Sequence, residues 1–290
     1  MISVLQLGTV DYATGLTLQQ RLVALRKEEK IGDVLLLLQH KPVITLGRNA
    51  KAANIIASPE LLAQRGVELF ECDRGGDVTF HGPGQLVGYP IFDLRNYATA
   101  ENGAVDALVR RASTSAAAHQ PPSTPDRKHL GAVDFVRRLE EVLIRTCADF
   151  ALETKRIPGL TGVWAESRDN DTHVGTGALT RPVEQSSTAP LSAKTLSEAK
   201  LAAIGIHISR FVTSHGFALN VNPDLTFFDL IIPCGITTKP VTSMQKELSR
   251  PLGLQAVAES IARNFGTVFQ TQILWLESLD ALLTHTVAVP

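Results

Sequence analysis

The sequence predicts a chain that mixes α-helices with β-strands around one hydrophobic core. Residues 12–29 carry leucines at the spacing of one helix face, whereas residues 34–38 form the continuous apolar run of a buried strand. Residues 77–81 alternate apolar and polar side chains, which is typical of a strand with one buried face. The 290 residues are 44% hydrophobic and contain no repeat or composition break, so we expect a single domain spanning residues 1–290.

The elements of the first third follow in order along the chain. A strand at 4–7 precedes the helix at 12–29, whose leucines form its apolar face. Gln19, Arg26 and Lys27 fall on the other faces of this helix, so we expect them to stay in water. The next elements are predicted as strands at 34–38, 43–46 and 67–72 and a helix at 59–66 with Ser58 as N-cap and Gly66 after its end.

The rest of the chain continues the mixture but contains two long segments without periodicity. Strands are predicted at 77–81, 86–94, 161–165, 200–208, 217–221 and 227–232. Helices are predicted at 133–150, with Cys147 on the core face, at 254–265, and after a capping box at 242–245. Residues 112–128 and 166–199 are polar and rich in Ser, Thr, Pro or Gly, which indicates two mobile insertions.

Charge and cysteine content exclude several classes of protein. The formal net charge of −1 argues against a nucleic-acid or membrane-surface role, since both need a basic excess. No apolar run is long enough for a transmembrane helix, and the N-terminus lacks the pattern of a signal peptide. Cys72, Cys147 and Cys234 are odd in number and far apart, which suits a reducing cytoplasm better than a disulfide framework.

The stretch 74–90 concentrates glycines, a histidine and an arginine around one predicted strand. Glycines precede the strand at 77–81 and flank Pro83 after it, and glycine lets a ligand lie against bare backbone. A tight hairpin in a β-rich core would explain these glycines equally well. Arg74, Thr79 and His81 lie so close together in the sequence that they favour a substrate cradle.

Cys234 is the cysteine that the sequence places in a turn, between Pro233 and Gly235. A thiol becomes a useful nucleophile when a neighbouring cation or base favours its thiolate. The candidate neighbours are Lys200, His81, His207 and His215. Lys200 opens a strand of small and apolar residues, where partial desolvation would help it act as a base. A solvated strand end for Lys200, a packed core thiol for Cys234 and a structural strand histidine for His207 are the alternatives.

Motifs for other chemistries are absent from the sequence. It contains no CxxC, no HExxH and no clustered pair of acids, so no metal site is predicted. It also lacks the GxxxxGK[ST] pattern of a phosphate-binding loop.

The segment Arg74-Gly75-Gly76-Asp77-Val78-Thr79-Phe80-His81-Gly82-Pro83-Gly84-Gln85-Leu86 resembles the signature of the lipoyl (octanoyl) transferase family, lipoate biosynthesis protein B. Further segments agree with this family in the same order, at 39–48, 162–164, 200–205, 215–220 and 233–236. The resemblance covers roughly residues 4–250, and both insertions fall between its motifs.

The resemblance implies a fold, a reaction and partners. The fold is α/β (α+β), a mixed β-sheet packed by helices, as in biotin and lipoate protein ligases. The reaction moves an octanoyl group from octanoyl-acyl carrier protein to a lysine of lipoyl domains, as in the E2 subunits of 2-oxoacid dehydrogenases and the glycine-cleavage H protein. It needs no ATP or other cofactor, because one thioester is exchanged for another before the amide forms. We expect a cytoplasmic monomer that binds neither nucleic acid nor membrane.

The resemblance also assigns roles to residues. Cys234 would hold the acyl group as a thioester, and Lys200 would move protons to and from it. Substrate-binding residues would come from three segments: Arg74, Gly75, Gly76, Asp77, Val78, Thr79, Phe80 and His81; Ala203, Ile204 and Gly205; and Gly216, Phe217 and Ala218.

Three rival functions remain open from the sequence. An ATP-dependent lipoate or biotin ligase shares the fold but would give Cys234 no task. An amidotransferase that moves the acyl group between lipoyl proteins would also use a cysteine. A non-catalytic binding module would keep the pocket but would form no covalent acyl-enzyme.

Overall fold

Two β-sheets organise the computed structural model of the chain, which describes residues 1–97, 129–167 and 197–284. The strands are β1 (Ile2–Val10), β2 (Asp33–His40), β3 (Val43–Leu46), β4 (Glu68–Glu71), β5 (Val78–His81), β6 (Gln85–Ile91), β7 (Thr154–Ile157), β8 (Leu160–Ser167), β9 (Ser197–Ser209), β10 (Val212–Asn220) and β11 (Ile273–Trp275). The helices are α1 (Tyr12–Lys27), α2 (Pro59–Gln64), α3 (Ala132–Asp149), α4 (Met244–Leu248), α5 (Leu254–Phe269) and α6 (Leu279–Thr284).

The larger sheet has the strand order β11-β1-β2-β6-β10-β9-β8-β7. Its strands are antiparallel except that β1 runs parallel to both β2 and β11. Helices cover both faces, which is why β2 is apolar at successive positions. Leu35 and Leu37 pack into a core with α3 and α5, whereas Leu36 and Leu38 pack with Leu22 of α1 on the opposite face.

The smaller sheet, β4-β3-β5, encloses a third core against the segment that leads to Cys234. Phe80 of β5 stacks on Phe227 at 4.8 Å and meets Phe228 edge-on at 5.5 Å. Because β5 lies in this sheet and β6 in the larger one, the glycine-flanked turn between them joins two sheets. The alternative of a hairpin formed by the strands on either side of Pro83 is therefore wrong.

Three further predictions needed correction. Gln19 and Arg26 are 1% and 6% exposed, because they share the buried face of α1 with Leu22 and find polar partners there. Arg26 pairs with Asp33 at 2.8 Å, and the Gln19 side-chain oxygen accepts the His215 N–H at 2.7 Å. The predicted strand at 227–232 is instead a 3₁₀ helix at Leu225–Leu230. The predicted capping box is shifted by one residue, since Ser243 is the N-cap of α4.

The expected insertions fall largely outside the described residues. The segment 112–128 lies wholly outside them, as does 168–196 of the predicted loop 166–199. Its two ends belong to strands instead, since β8 continues to Ser167 and β9 begins at Ser197. Within the described residues, no helix combines the length and apolar character needed to cross a membrane.

Candidate active site

Cys234 lies on a short 3₁₀ turn, Pro233–Gly235, which follows in sequence the segment that packs into the third core. Its backbone is left-handed, with φ 57° and ψ 19°, a conformation that strains a residue with a side chain and often marks a functional site. The Ile232 N–H donates to the Asn54 carbonyl at 2.7 Å, which ties the turn to a neighbouring segment. The thiol is free and half-buried, so it is accessible to a ligand.

Lys200 of β9 reaches this thiol, with 3.2 Å between Nζ and Sγ. Only 8% of Lys200 is exposed, so a solvated strand end is excluded. Its Nζ atom also lies 5.3 Å from the centre of the Trp164 ring. Gly162 leaves room for the side chain, because a Cβ at that position would lie 3.0 Å from Lys200 Cε. The sequence-based pairing of these two residues is thus present as a direct contact.

A narrow cleft extends from Cys234 along the hairpin of β9 and β10. Facing pairs of small residues form its floor, first Ala203 with Ala218 and then Gly205 with Gly216. The glycines are required because the backbones of adjacent segments approach closely. A Cβ on Gly205 would lie 2.6 Å from the Gly75 carbonyl oxygen.

Most of the predicted binding residues meet at this cleft. Its lining includes Arg74, Gly75, Gly76, Asp77, Thr79, His81, Ala203, Ile204, Gly205, Gly216, Phe217 and Ala218. Val78 and Phe80 do not line it, because the alternation of β5 turns their side chains into the third core.

Arg74 brings a buried cation to the cleft. It is 7% exposed, and its guanidinium donates to Thr45, with 2.7 Å to the backbone oxygen and 2.9 Å to the hydroxyl. It also donates to the Gly75 carbonyl at 3.1 Å. Among the described residues no carboxylate forms an ion pair with Arg74, so its charge remains available to the cleft.

Two tyrosines that the sequence analysis did not select, Tyr12 and Tyr89, also line the cleft. The Tyr89 hydroxyl donates to His40 at 2.6 Å, and the Tyr12 ring stacks on His81 at 6.2 Å. Burial lowers the pKa of His81 to about 3, so its ring is neutral near pH 7. It donates through Nδ1 to the Gln85 side chain at 2.7 Å. Tyr12 begins α1 and Tyr89 lies inside β6, and nothing in the sequence of either element indicates that its tyrosine lines a cleft.

His215 lines the cleft at the end remote from Cys234. The His215 backbone is left-handed, with φ 56°, although the residue lies within β10. Its ring donates a hydrogen bond to the Asp73 carboxylate at 2.7 Å. Burial lowers the pKa of His215, against the opposing effect of Asp73. Burial also pushes the pKa of Asp73 upward, but the hydrogen bond and charge of His215 outweigh it and leave the pKa lowered.

Comparisons with known proteins agree with this geometry. The family model described as the lipoyl protein ligase A/B catalytic domain matches residues 11–118 and 122–266. An octanoyltransferase of Koribacter versatilis is 52% identical over 98% of this chain and 90% of its own length. An octanoyltransferase of Acidobacterium capsulatum is 48% identical over 98% of this chain and 96% of its own.

Solved structures extend the likeness to the fold. A lipoate-protein ligase A bound with ATP has a TM-score of 0.58 at 14% identity, covering 98% of this chain and 94% of its own. A bipartite lipoate protein ligase from Thermoplasma acidophilum has a TM-score of 0.60 at 12% identity, covering 98% of this chain and 91% of its own. The predicted biotin and lipoate ligase-like fold, a mixed sheet packed by helices, is therefore confirmed.

The fold and the relatives together define the class of protein, which is an acyltransferase. The chain belongs to the lipoyl protein ligase A/B catalytic domain family.

Proposed function

We propose that this enzyme transfers an octanoyl group from a carrier-protein thioester to a lysine of a lipoyl domain, through an acyl-enzyme on Cys234. Lys200 takes the thiol proton, and the thiolate attacks the thioester carbonyl. The carrier thiol leaves with that proton, so the cysteine now holds the acyl group. The acceptor lysine then attacks as a neutral amine, its proton passes to Lys200, and Cys234 is released.

The observation that carries this proposal is the 3.2 Å contact between Lys200 Nζ and Cys234 Sγ at one end of the cleft. A thiol and an amine at this separation can exchange a proton directly. The low exposure of Lys200 limits competition from bulk water. The left-handed backbone of Cys234 adds support, because such strain is retained where a reactive group has to be aimed.

The cleft suits an acyl chain because its floor is built from alanines and glycines. Beside Val87, Ile204 and Phe217, this floor offers a narrow apolar surface. Burying each methylene there contributes about 0.8 kcal/mol, so the chain supplies binding energy that a small substrate would lack. We propose that the predicted residues lining the cleft hold this chain, and that Val78 and Phe80 support the cradle from behind.

The partners in this proposal are an acyl carrier protein as donor and lipoyl domains as acceptors. Support comes from the relatives, which are named octanoyltransferases, and from the ligase of Thermoplasma acidophilum, whose structure is described with its E2 lipoyl domain. The free state of all three cysteines suits the reducing cytoplasm in which we propose that the reaction runs.

The decisive experiment is intact-mass analysis after mixing the enzyme with octanoyl-acyl carrier protein. We expect one octanoyl adduct that hydroxylamine removes, on the peptide that contains Cys234. Cys234→Ala should form none. An adduct on Cys72 or Cys147 would contradict the assignment.

The same experiment separates the rival functions. A ligase would label an acceptor only with ATP and free octanoate, whereas an amidotransferase would accept octanoyl from a lipoyl protein and not from the carrier protein. A binding module would form no adduct with any donor. We expect the carrier thioester alone to suffice.

A further inference from the structure

Beyond the apolar floor of the cleft lies a group of polar side chains, Asp73, His207 and His215, which we call the polar wall. Of the three, His215 lines the cleft itself. Both histidines direct Nε2 toward the same carboxylate, with His215 at 2.7 Å and His207 at 3.7 Å. The side chain of His215 is 3% exposed and faces the cleft, whereas that of Asp73 is 59% exposed and lies at the surface.

The register of the β9–β10 hairpin puts this wall in line with the floor. Side chains two residues apart share a face, so Ala203, Gly205 and His207 follow one another along β9. On β10, His215 would point to the opposite face, but its left-handed backbone departs from the regular alternation and it lines the cleft. The apolar floor is therefore followed by His207 along β9 and by His215 along β10.

Hydrogen bonding at the wall is incomplete. The Nδ1 atoms of His207 and His215 are buried and have no hydrogen-bond partner among the described residues. A buried polar atom without a partner is unfavourable, and a hydrocarbon chain packed against these rings supplies no partner. The wall therefore offers no stabilisation to a methylene that reaches it.

The length of the floor matches an eight-carbon chain. Ala203 and Ala218 border both the cleft and the smaller cavity around Lys200 and Cys234, so they mark the reacting end. From Ala218 to His215 is three residues of strand, or about 10 Å. An extended chain advances about 1.25 Å per carbon–carbon bond, so the seven such bonds of an octanoyl group span about 9 Å.

We propose that Asp73, His207 and His215 set the acyl-chain length of this enzyme by ending the apolar floor after about eight carbons. The inference rests on the proposed function, because it takes an acyl chain as the occupant of the cleft. In an unblocked apolar cleft, each added methylene would tighten binding about fourfold, so a ten-carbon chain would bind about 15-fold better than an eight-carbon chain. With the wall present, the ten-carbon chain gains nothing or binds more weakly.

The test compares wild-type enzyme with His207→Ala and His215→Asn. Asparagine is chosen because it tolerates the left-handed backbone at 215. His129→Ala, which removes an exposed histidine outside the cleft, is the matched control. The first readout is the rate of adduct formation with octanoyl-, decanoyl- and dodecanoyl-carrier protein. The second is binding of octanoate, decanoate and dodecanoate to the same proteins carrying Cys234→Ala, measured by titration calorimetry.

We expect the ratio of decanoyl to octanoyl to rise at least fivefold in both wall variants and to stay unchanged in His129→Ala. An unchanged ratio in His207→Ala, whose regular strand position favours normal folding, would overturn the proposal. A 15-fold gain for decanoate in the wild type would do the same. If the affinity of the fatty acids stops rising after eight carbons but no adduct forms on Cys234 of the wild type, the proposed function is refuted. The role of the polar wall in setting chain length is then still supported.

Discussion

Replacing Lys200 by methionine removes the amine and keeps a side chain of similar length beside Trp164. The Lys200 amine lies 3.2 Å from the Cys234 sulfur, and Lys200 is 8% exposed, so bulk water is a poor substitute for the amine. A positioned acid–base group contributes about 100- to 10,000-fold to rate. We therefore expect both half-reactions to slow by about that factor, which raises each barrier by about 3–5 kcal/mol.

Lys200→Arg separates the charge of the lysine from its proton transfer. Arginine keeps the cation that favours a thiolate but cannot release its proton near neutral pH. We expect it to retain more adduct formation than Lys200→Met and to fail in the transfer to the acceptor lysine.

The assay is single-turnover kinetics of each half-reaction, with Lys239→Met as the control. Lys239 is a partly exposed lysine that pairs with Glu198 and does not line the cleft. Urea unfolding curves show whether each variant is folded. Wild-type rates of octanoyl transfer in folded Lys200→Met would refute the pairing of lysine and cysteine.

Three further predictions concern the surroundings of the site. Burial raises the pKa of Cys147 to about 12, so iodoacetamide at pH 8 should modify this thiol only after unfolding, as peptide mapping would reveal. The pKa of His81 is lowered from 6.5 to about 3, so below pH 6.5 the unfolded state binds a proton that the folded state does not. The free energy of unfolding should therefore decrease as the pH is lowered, and at pH 5 this residue accounts for about 2 kcal/mol of the decrease. Urea titrations of His81→Gln should lack this contribution. Gly162→Ala places a Cβ 2.5 Å from the Ala202 carbonyl oxygen and 3.0 Å from Lys200 Cε, at φ 127°. It should therefore cost about 1–3 kcal/mol of stability and slow adduct formation, whereas Gly32→Ala, with nothing within 4 Å of its Cβ, should do neither.

Sequence patterns selected both members of the proposed reacting pair, because each carries a local signal. Cys234 lies in a Pro-Cys-Gly turn, and Lys200 opens a run of small residues. The contact between them depends on the sheet, since the Lys200 N–H and C=O bind Pro240 and Thr242 in the segment that follows the turn. A contact between segments so far apart in the chain produces no local sequence pattern. The family resemblance was therefore needed to predict that the two residues lie together.

Periodicity failed where tertiary contacts override it. On α1 the leucines other than Leu22 are only partly buried. Gln19 and Arg26 are buried because each has a hydrogen-bond partner there, the His215 N–H for Gln19 and the Asp33 carboxylate for Arg26. The left-handed backbone of His215 was equally hidden, since nothing in a strand of that composition signals it. The polar wall therefore emerged only from the folded arrangement.

The parallel pairing of β1 with β11 has a consequence for synthesis of the chain. Ile2 pairs with Ile273, so one edge of the first strand stays unpaired until residues 273–275 have left the ribosome. Cys234 and every other residue that lines the cleft emerge earlier. A nascent chain can therefore assemble the cleft while β1 still exposes an unpaired edge. That edge is a template for association with other chains until β11 is synthesised. Ribosome-bound chains stopped before residue 273 should accordingly aggregate more readily than the completed enzyme.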